Sequence, residues 1–139
     1  MRFDLHVHSV HSKDSITPVE KLCDAYAKLG FAGFALTDHG SFAGVARAQA
    51  HAREKKLPIE VVGGCEFLSD MGEVIGLHLN EAIAARASMP PSGVGPVYEF
   101  APLCDAIHDQ GGTAVLPHPF DAVRRHACRP DLLAPDQLR

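Results

Sequence analysis

The chain has 139 residues, 46% of them hydrophobic, enough to build the core of one domain and too apolar for a disordered or collagen-like chain. Thirteen Lys plus Arg against seventeen Asp plus Glu give a formal net charge of -4, without the basic excess that coating long nucleic acid or an anionic membrane requires. Nine His stand out, several of them beside carboxylates.

In chain order, Phe3 to His8 reads as a strand preceded by no apolar signal run, since Arg2, Asp4 and His6 interrupt it. Thr17-Pro18-Val19-Glu20 has the form of a capping box, with Thr17 at N-cap, and opens a helix whose apolar stripe is Val19, Leu22, Cys23, Tyr26 and Leu29. Phe31 to Thr37 is a second strand. Asp38-His39-Gly40 then makes a tight turn, after which Ser41 can cap an Ala-rich helix ending near Lys56. Ile59 to Phe67 and Glu73 to Leu79 read as the third and fourth strands. A Pro/Gly-rich loop spans Met89 to Pro96, and a helical stripe of Phe100, Leu103, Cys104 and Ile107 stops at Gly111-Gly112. Thr113 to Leu116 is a fifth strand ending at Pro117-His118-Pro119, and the tail from Arg124 to Arg139 carries no clear pattern. Strands alternating with helices predict an α/β chain with a mostly parallel sheet. No stretch approaches the ~18 apolar residues of a membrane span, and the four cysteines form no Cys-x-x-Cys pair, so a cytoplasmic protein with buried thiols and no membrane partner is expected.

The chemistry concentrates at strand ends. His6 and His8, two apart on a strand, share a face and can grip one ion, with Asp4 expected on the same face. His39 follows the second strand, Glu66 ends the third, Glu73 or His78 lies on the fourth and His118 ends the fifth. In a parallel α/β fold these positions meet at the carboxyl ends of the strands.

Asp4-Leu5-His6-Val7-His8-Ser9, Ser12-Lys13-Asp14-Ser15, Thr37-Asp38-His39-Gly40, Gly64-Cys65-Glu66 and Pro117-His118-Pro119-Phe120 occur in that order. The sequence resembles the PHP (polymerase and histidinol phosphatase) family of metal-dependent phosphoesterases. The resemblance implies a distorted (β/α)7 TIM-like barrel, present here as about the first five strands of one domain over residues 1–139, with two or three divalent ions (Zn, Mn or Fe) at its mouth. It implies His6 and His8 as ligands of one ion, Glu66 bridging to a second that His118 also holds, and Asp14 and His39 on a third. It also implies hydrolysis of a phosphomonoester, a nucleotide or small phosphorylated metabolite, by hydroxide drawn from acidified water, with Glu66, His39 and Asp38 at the catalytic centre. Mixed imidazole and carboxylate donors independently suit Mn, Fe or Zn.

Glu73 stands where the family usually has a His, and the odd spacing to His78 lets only one of the two face the ions; the family position favours Glu73. The family's late Asp-x-His strand has no counterpart before Arg139, so a shortened barrel is expected, with an uncovered inner face and open sheet edges through which a second copy can pair. Lys13, Arg124 and Arg125 are candidate phosphate contacts, and the amides of Gly40 and Ser41 can cradle a phosphate oxygen. Asp38 and Asp4 are expected to accept the second N–H of ligating histidines. His51 and His108 are expected to lack partners within their helices. Two rival functions remain at this point: a nuclease or proofreading module acting on short nucleic acid, and a non-catalytic metal-binding scaffold.

Overall fold

The computed structural model describes residues 1–83, 87–88 and 95–129. Its elements run β1 (Phe3–Val7), α1 (Val19–Lys28), β2 (Gly33–Leu36), α2 (Val45–Glu54), β3 (Glu60–Ser69), β4 (Gly72–Leu77), β5 (Ala87–Ser88), β6 (Val97–Tyr98), α3 (Phe100–Asp109) and β7 (Thr113–Val115). The central order is β1-β2-β3-β4-β7, with β6 paired beside β3 and β5 beside β6. The sheet curls into a half-barrel, so that the ring of His118, just past β7, stacks 5.8 Å from that of His6 on β1.

The sheet is mixed, which corrects the expectation of a mostly parallel one. β1, β2 and β3 pair in parallel, whereas β3–β4 and β4–β7 are antiparallel. The reason is local: Asp70 and Met71 are all that separate β3 from β4, and a parallel crossover needs about a dozen residues or more. Gly72, at φ 116 in the left-handed half of the map, closes this hairpin. The direction of β4 decides the site, because Glu73 enters the mouth from the amino end of its strand, opposite Leu68 near the carboxyl end of β3.

On the helix side, Val7, Phe34, Leu36 and Val61 pack against Val19 and Cys23 of α1 and Val45 and Ala48 of α2. Farther along, Cys65, Phe67 and Val74 pack against Leu103 and Ile107 of α3. On the opposite face Ala35, Val62, Ile75 and Leu77 form a smaller cluster of their own. Each of these four is buried, so the curl covers the inner face that was expected to stand open, while Thr113 and Val115 on the β7 edge stay exposed, Val115 at 37%.

Among the boundaries that differ from the sequence reading, three bear on the site. Thr17 is not a capping residue: α1 has Pro18 at N-cap with no side-chain cap, because the Thr17 backbone is held by the loop after β1, accepting from Val10 N at 2.9 Å. Ser41 does not cap α2, which starts at Val45 after a turn fixed by Phe42, whose ring packs against both large clusters. The fourth strand stops at Leu77, and His78 at φ 59 turns the chain away. Residues 89–94 of the expected Pro/Gly loop and 130–139 of the tail lie outside the described residues.

Candidate metal centre

β1 delivers the first two donors, although not as a regular strand. Its register with β2 shifts between Asp4 and Val7. The shift takes Asp4 off the face of His6 and His8: its carboxylate accepts the Tyr26 hydroxyl at 2.7 Å and the His6 backbone N–H at 3.2 Å. Asp4 therefore accepts from no ligand imidazole, contrary to expectation. The Nε2 atoms of His6 and His8 converge to 3.1 Å, and each lies 2.9 Å from Glu66 Oε2. Glu66, 1% exposed, comes from the inner face of β3.

His8 reaches in two directions. Its Nδ1 lies 3.0 Å from Asp14 Oδ2, and the same oxygen is 3.4 Å from His39 Nε2. His39 returns through Nδ1 to Glu66 Oε2 at 3.5 Å. Across the mouth, His118 Nε2 stands 3.9 Å from Glu66 Oε1 and 3.9 Å from Glu73 Oε2. Three ligand groups result, each with donor atoms within 4.8 Å of one another: His6, His8 and Glu66; His8, Asp14 and His39; His39, Glu66 and Glu73.

Electrostatics describe a site built for positive charge. Burial opposes ionisation of Glu66, but the His6 and His8 imidazoles prevail and hold its carboxyl at about 2. The Glu66 contact raises His8 above its ordinary value, against its own burial. Burial, reinforced by Arg124, lowers His118. Glu66 Oε1, Glu73 Oε2 and both ring nitrogens of His118 are buried without a hydrogen-bond partner. Buried polar atoms are normally satisfied, so orphaned acceptors converging on one space fit divalent cations. Glu66 and Glu73 also bring two carboxyl groups within 4.8 Å of each other, an arrangement that a cation between them would favour.

The cavity over these donors measures about 330 Å³ and is lined by His11, Lys13, His39, Gly40, Glu66, Leu68, Glu73, Gly95, Pro96, Tyr98 and His126. Lys13 and Gly40 are therefore at the cavity, while Arg124 and Arg125 are exposed outside it, and Arg124 Nε faces Asp121 at 3.7 Å. The amides of Gly40 and Ser41 are not free to cradle a phosphate, because Gly40 N donates to Glu66 O at 2.8 Å and Ser41 N to Asp38 O at 3.4 Å. Asp38, 1% exposed, accepts from Ser9 N at 2.5 Å and Ser9 Oγ at 2.7 Å and touches no histidine ring. Its carboxylate holds the loop through Ser9, where acceptance from a ligand imidazole was expected. His51 does have a partner, Asp24 Oδ1 at 2.9 Å. His78 is exposed beyond the far end of β4, whereas Glu73 sits at the mouth with its N–H donated to His126 O at 2.7 Å. His126 and Tyr98 escaped the sequence reading because neither sits in a motif; only the placement of residues 95–98 and 121–129 against the hairpin brings them to the cavity. Cys65, next to Glu66, is no nucleophile, since burial pushes its thiol up to about 12.

The model of the PHP domain family matches residues 4–108. The chain belongs to the PHP domain family. A protein of Methanocaldococcus jannaschii without assigned function is 32% identical over 88% of this chain and 70% of its own length. A 5'-3' exoribonuclease of Haemophilus influenzae is 37% identical over 56% of this PHP chain and 27% of its own. Among solved structures, a Bifidobacterium adolescentis protein described as an inferred metal-dependent phosphoesterase superposes with a TM-score of 0.73 at 16% identity, over 98% of this chain and 72% of that one. At that identity the likeness speaks for the fold, and it matches the curled α/β half-barrel seen here.

Proposed function

We propose that this PHP chain is a metal-dependent phosphoesterase that hydrolyses phosphomonoesters of a nucleotide or another small phosphorylated metabolite. The observation that carries the reading is the set of orphaned buried atoms on Glu66, Glu73 and His118, clustered with His6, His8, Asp14 and His39 beside a cavity of about 330 Å³ that Glu66, Glu73 and His39 line. Divalent ions of the Mn, Zn or Fe kind, when bound, supply charge for the non-bridging phosphoryl oxygens and bring the pKa of a water from 15.7 toward ~7. The chain does the rest. Glu66 and His39 are shared between ligand groups and fix their spacing, and Lys13 at the rim presents a cation to the phosphate. Ser9 and Ser12 are buried and committed to loop contacts, so neither competes with water as a nucleophile.

Similarity to the exoribonuclease favours a second reading, cleavage at the ends of short nucleic acids. The net charge of -4 weighs against long strands, whose binding rests on phosphate neutralisation. The test is phosphate release by EDTA-stripped protein, with and without added Mn, from p-nitrophenyl phosphate, nucleoside monophosphates and short oligonucleotides. Mn-dependent release from the monoesters supports the proposal. Bound Mn with no turnover on any substrate selects the scaffold alternative, and turnover confined to oligonucleotides selects the nuclease.

A further inference from the structure

Asp14 is the least anchored of the candidate donors. It sits in the loop between β1 and α1, its side chain is 45% exposed, and no strand or helix fixes it. His39 likewise lies past the end of β2. Yet the two meet at 3.4 Å and share His8, so something must hold the two loops in register. The serines between β1 and Asp14 do this in two rungs. Ser9 Oγ donates to Asp38, and Ser12 Oγ accepts the backbone N–H of the next residue, His39, at 3.1 Å. Ser12 N donates in turn to Ser9 O at 2.9 Å, which ties the rungs together.

The two rungs are not equivalent. Ser9 Oγ bonds Asp38 and the N–H of His11 and so touches none of the candidate ligands, whereas the Ser12 hydroxyl, on a residue 4% exposed, holds the backbone of His39 directly. Ser12 stands two residues before Asp14, and Ser15 N donates to Ser12 O at 3.4 Å, so the loop that carries Asp14 hangs on the residue whose hydroxyl holds His39.

We propose that Ser12 is a positioning residue that sets Asp14 and His39 at ligating distance, so that the position shared by His8, Asp14 and His39 depends on the Ser12 hydroxyl for its cation. This rests on the reading of the cluster as a metal centre. One bond gives it content: the His39 backbone N–H donates to the Ser12 hydroxyl, an acceptor that a methyl group cannot replace.

Mn is the probe, because its preference for oxygen and imidazole over sulfur keeps a cysteine variant from becoming a ligand. Mn content and affinity are measured by equilibrium dialysis with elemental analysis for wild type, Ser12→Ala, Ser12→Thr and Ser12→Cys, alongside melting curves in EDTA. The expected result is a selective loss: in Ser12→Ala and Ser12→Cys one class of Mn site weakens by about 10- to 100-fold while the rest persist, Ser12→Thr recovers binding, and the EDTA melting curves stay close to wild type. If Ser12→Ala fails to fold, Ser12→Cys, of nearly the same size and a weak hydrogen-bonding group, carries the comparison. Wild-type Mn content and affinity in both variants would overturn the role of Ser12 and leave the metal centre standing. Loss of every ion together with a large drop in the EDTA melting temperature would make Ser12 a structural residue and equally overturn the proposal. Absence of Mn from wild type would overturn the metal reading and this inference together.

Discussion

Two imidazoles share one oxygen of Glu66 while its other oxygen is buried and unpartnered, so this single side chain connects both sides of the mouth. Glu66→Gln should therefore weaken metal binding by at least ~10- to 100-fold, whereas His78→Ala, exposed at the far end of β4, should leave it unchanged. Equal losses, read by equilibrium dialysis, would contradict the placement of these donors. The same contacts give a pH dependence. In the chelated protein Glu66 is held at about 2, so its contribution is present above the ordinary carboxyl value and is lost only as pH falls toward 2. His8 is raised, so its contribution is present below its ordinary value of 6.5 and is lost as pH climbs through the raised one. A cation takes over the role of that proton. The melting-temperature gap between Mn-loaded and EDTA-treated protein should thus widen as pH rises from 6 to 8.5; a constant gap would show that His8 is no ligand. At this scale the clustering of these side chains was legible in the sequence, because His6-x-His8 on a strand and Thr37-Asp38-His39 after one put their rings at neighbouring strand ends. The sequence misled at Asp4 and Asp38, where a register shift and a buried serine claim the carboxylates. Ser12 and His126 could not be read from it, since their roles depend on loops meeting.

The β3–β4 hairpin is the element on which the geometry turns. Gly72 combines φ 116 with a position where a Cβ would lie 2.6 Å from Cys128 Cα, so Gly72→Ala must move either the hairpin or the segment that closes over it. Strain of this kind costs on the order of 1–3 kcal/mol. The variant should melt several degrees lower and bind Mn more weakly, because the Glu73 N–H donated to His126 O is the next link in the chain. An unchanged melting curve would mean that the segment yields freely. Periodicity found the helices and the main strands, because apolar stripes at helical and alternating spacing report burial directly. Strand direction was legible too, had the short Asp70–Met71 connection been weighed above the α/β alternation. The short β5 and β6 were not, since two-residue strands carry no period.

At the scale of the whole molecule, the sheet, with β1-β2-β3-β4-β7 as its central path, holds its inner cluster buried and still leaves β1 and β7 each with one edge unpaired among the described residues. Leu5 and Val115 on those strands are 51% and 37% exposed. Unpaired edges are templates for another strand, and we propose that a second copy pairs there. Light scattering across a concentration series should report a dimer, and a monomer at every concentration would contradict it. No helix among the described residues is long and apolar enough to cross a membrane. The central claim is that the mouth of this curled sheet is a divalent-metal centre, and the direct measurement is the melting temperature of protein of known metal content, before and after EDTA and again after Mn is restored. The account predicts more than one ion per chain at neutral pH, a clear drop in melting temperature on chelation as Glu66 and Glu73 lose their shared counter-charge, and recovery with Mn; protein shown to hold metal whose melting curve does not move with EDTA would contradict it.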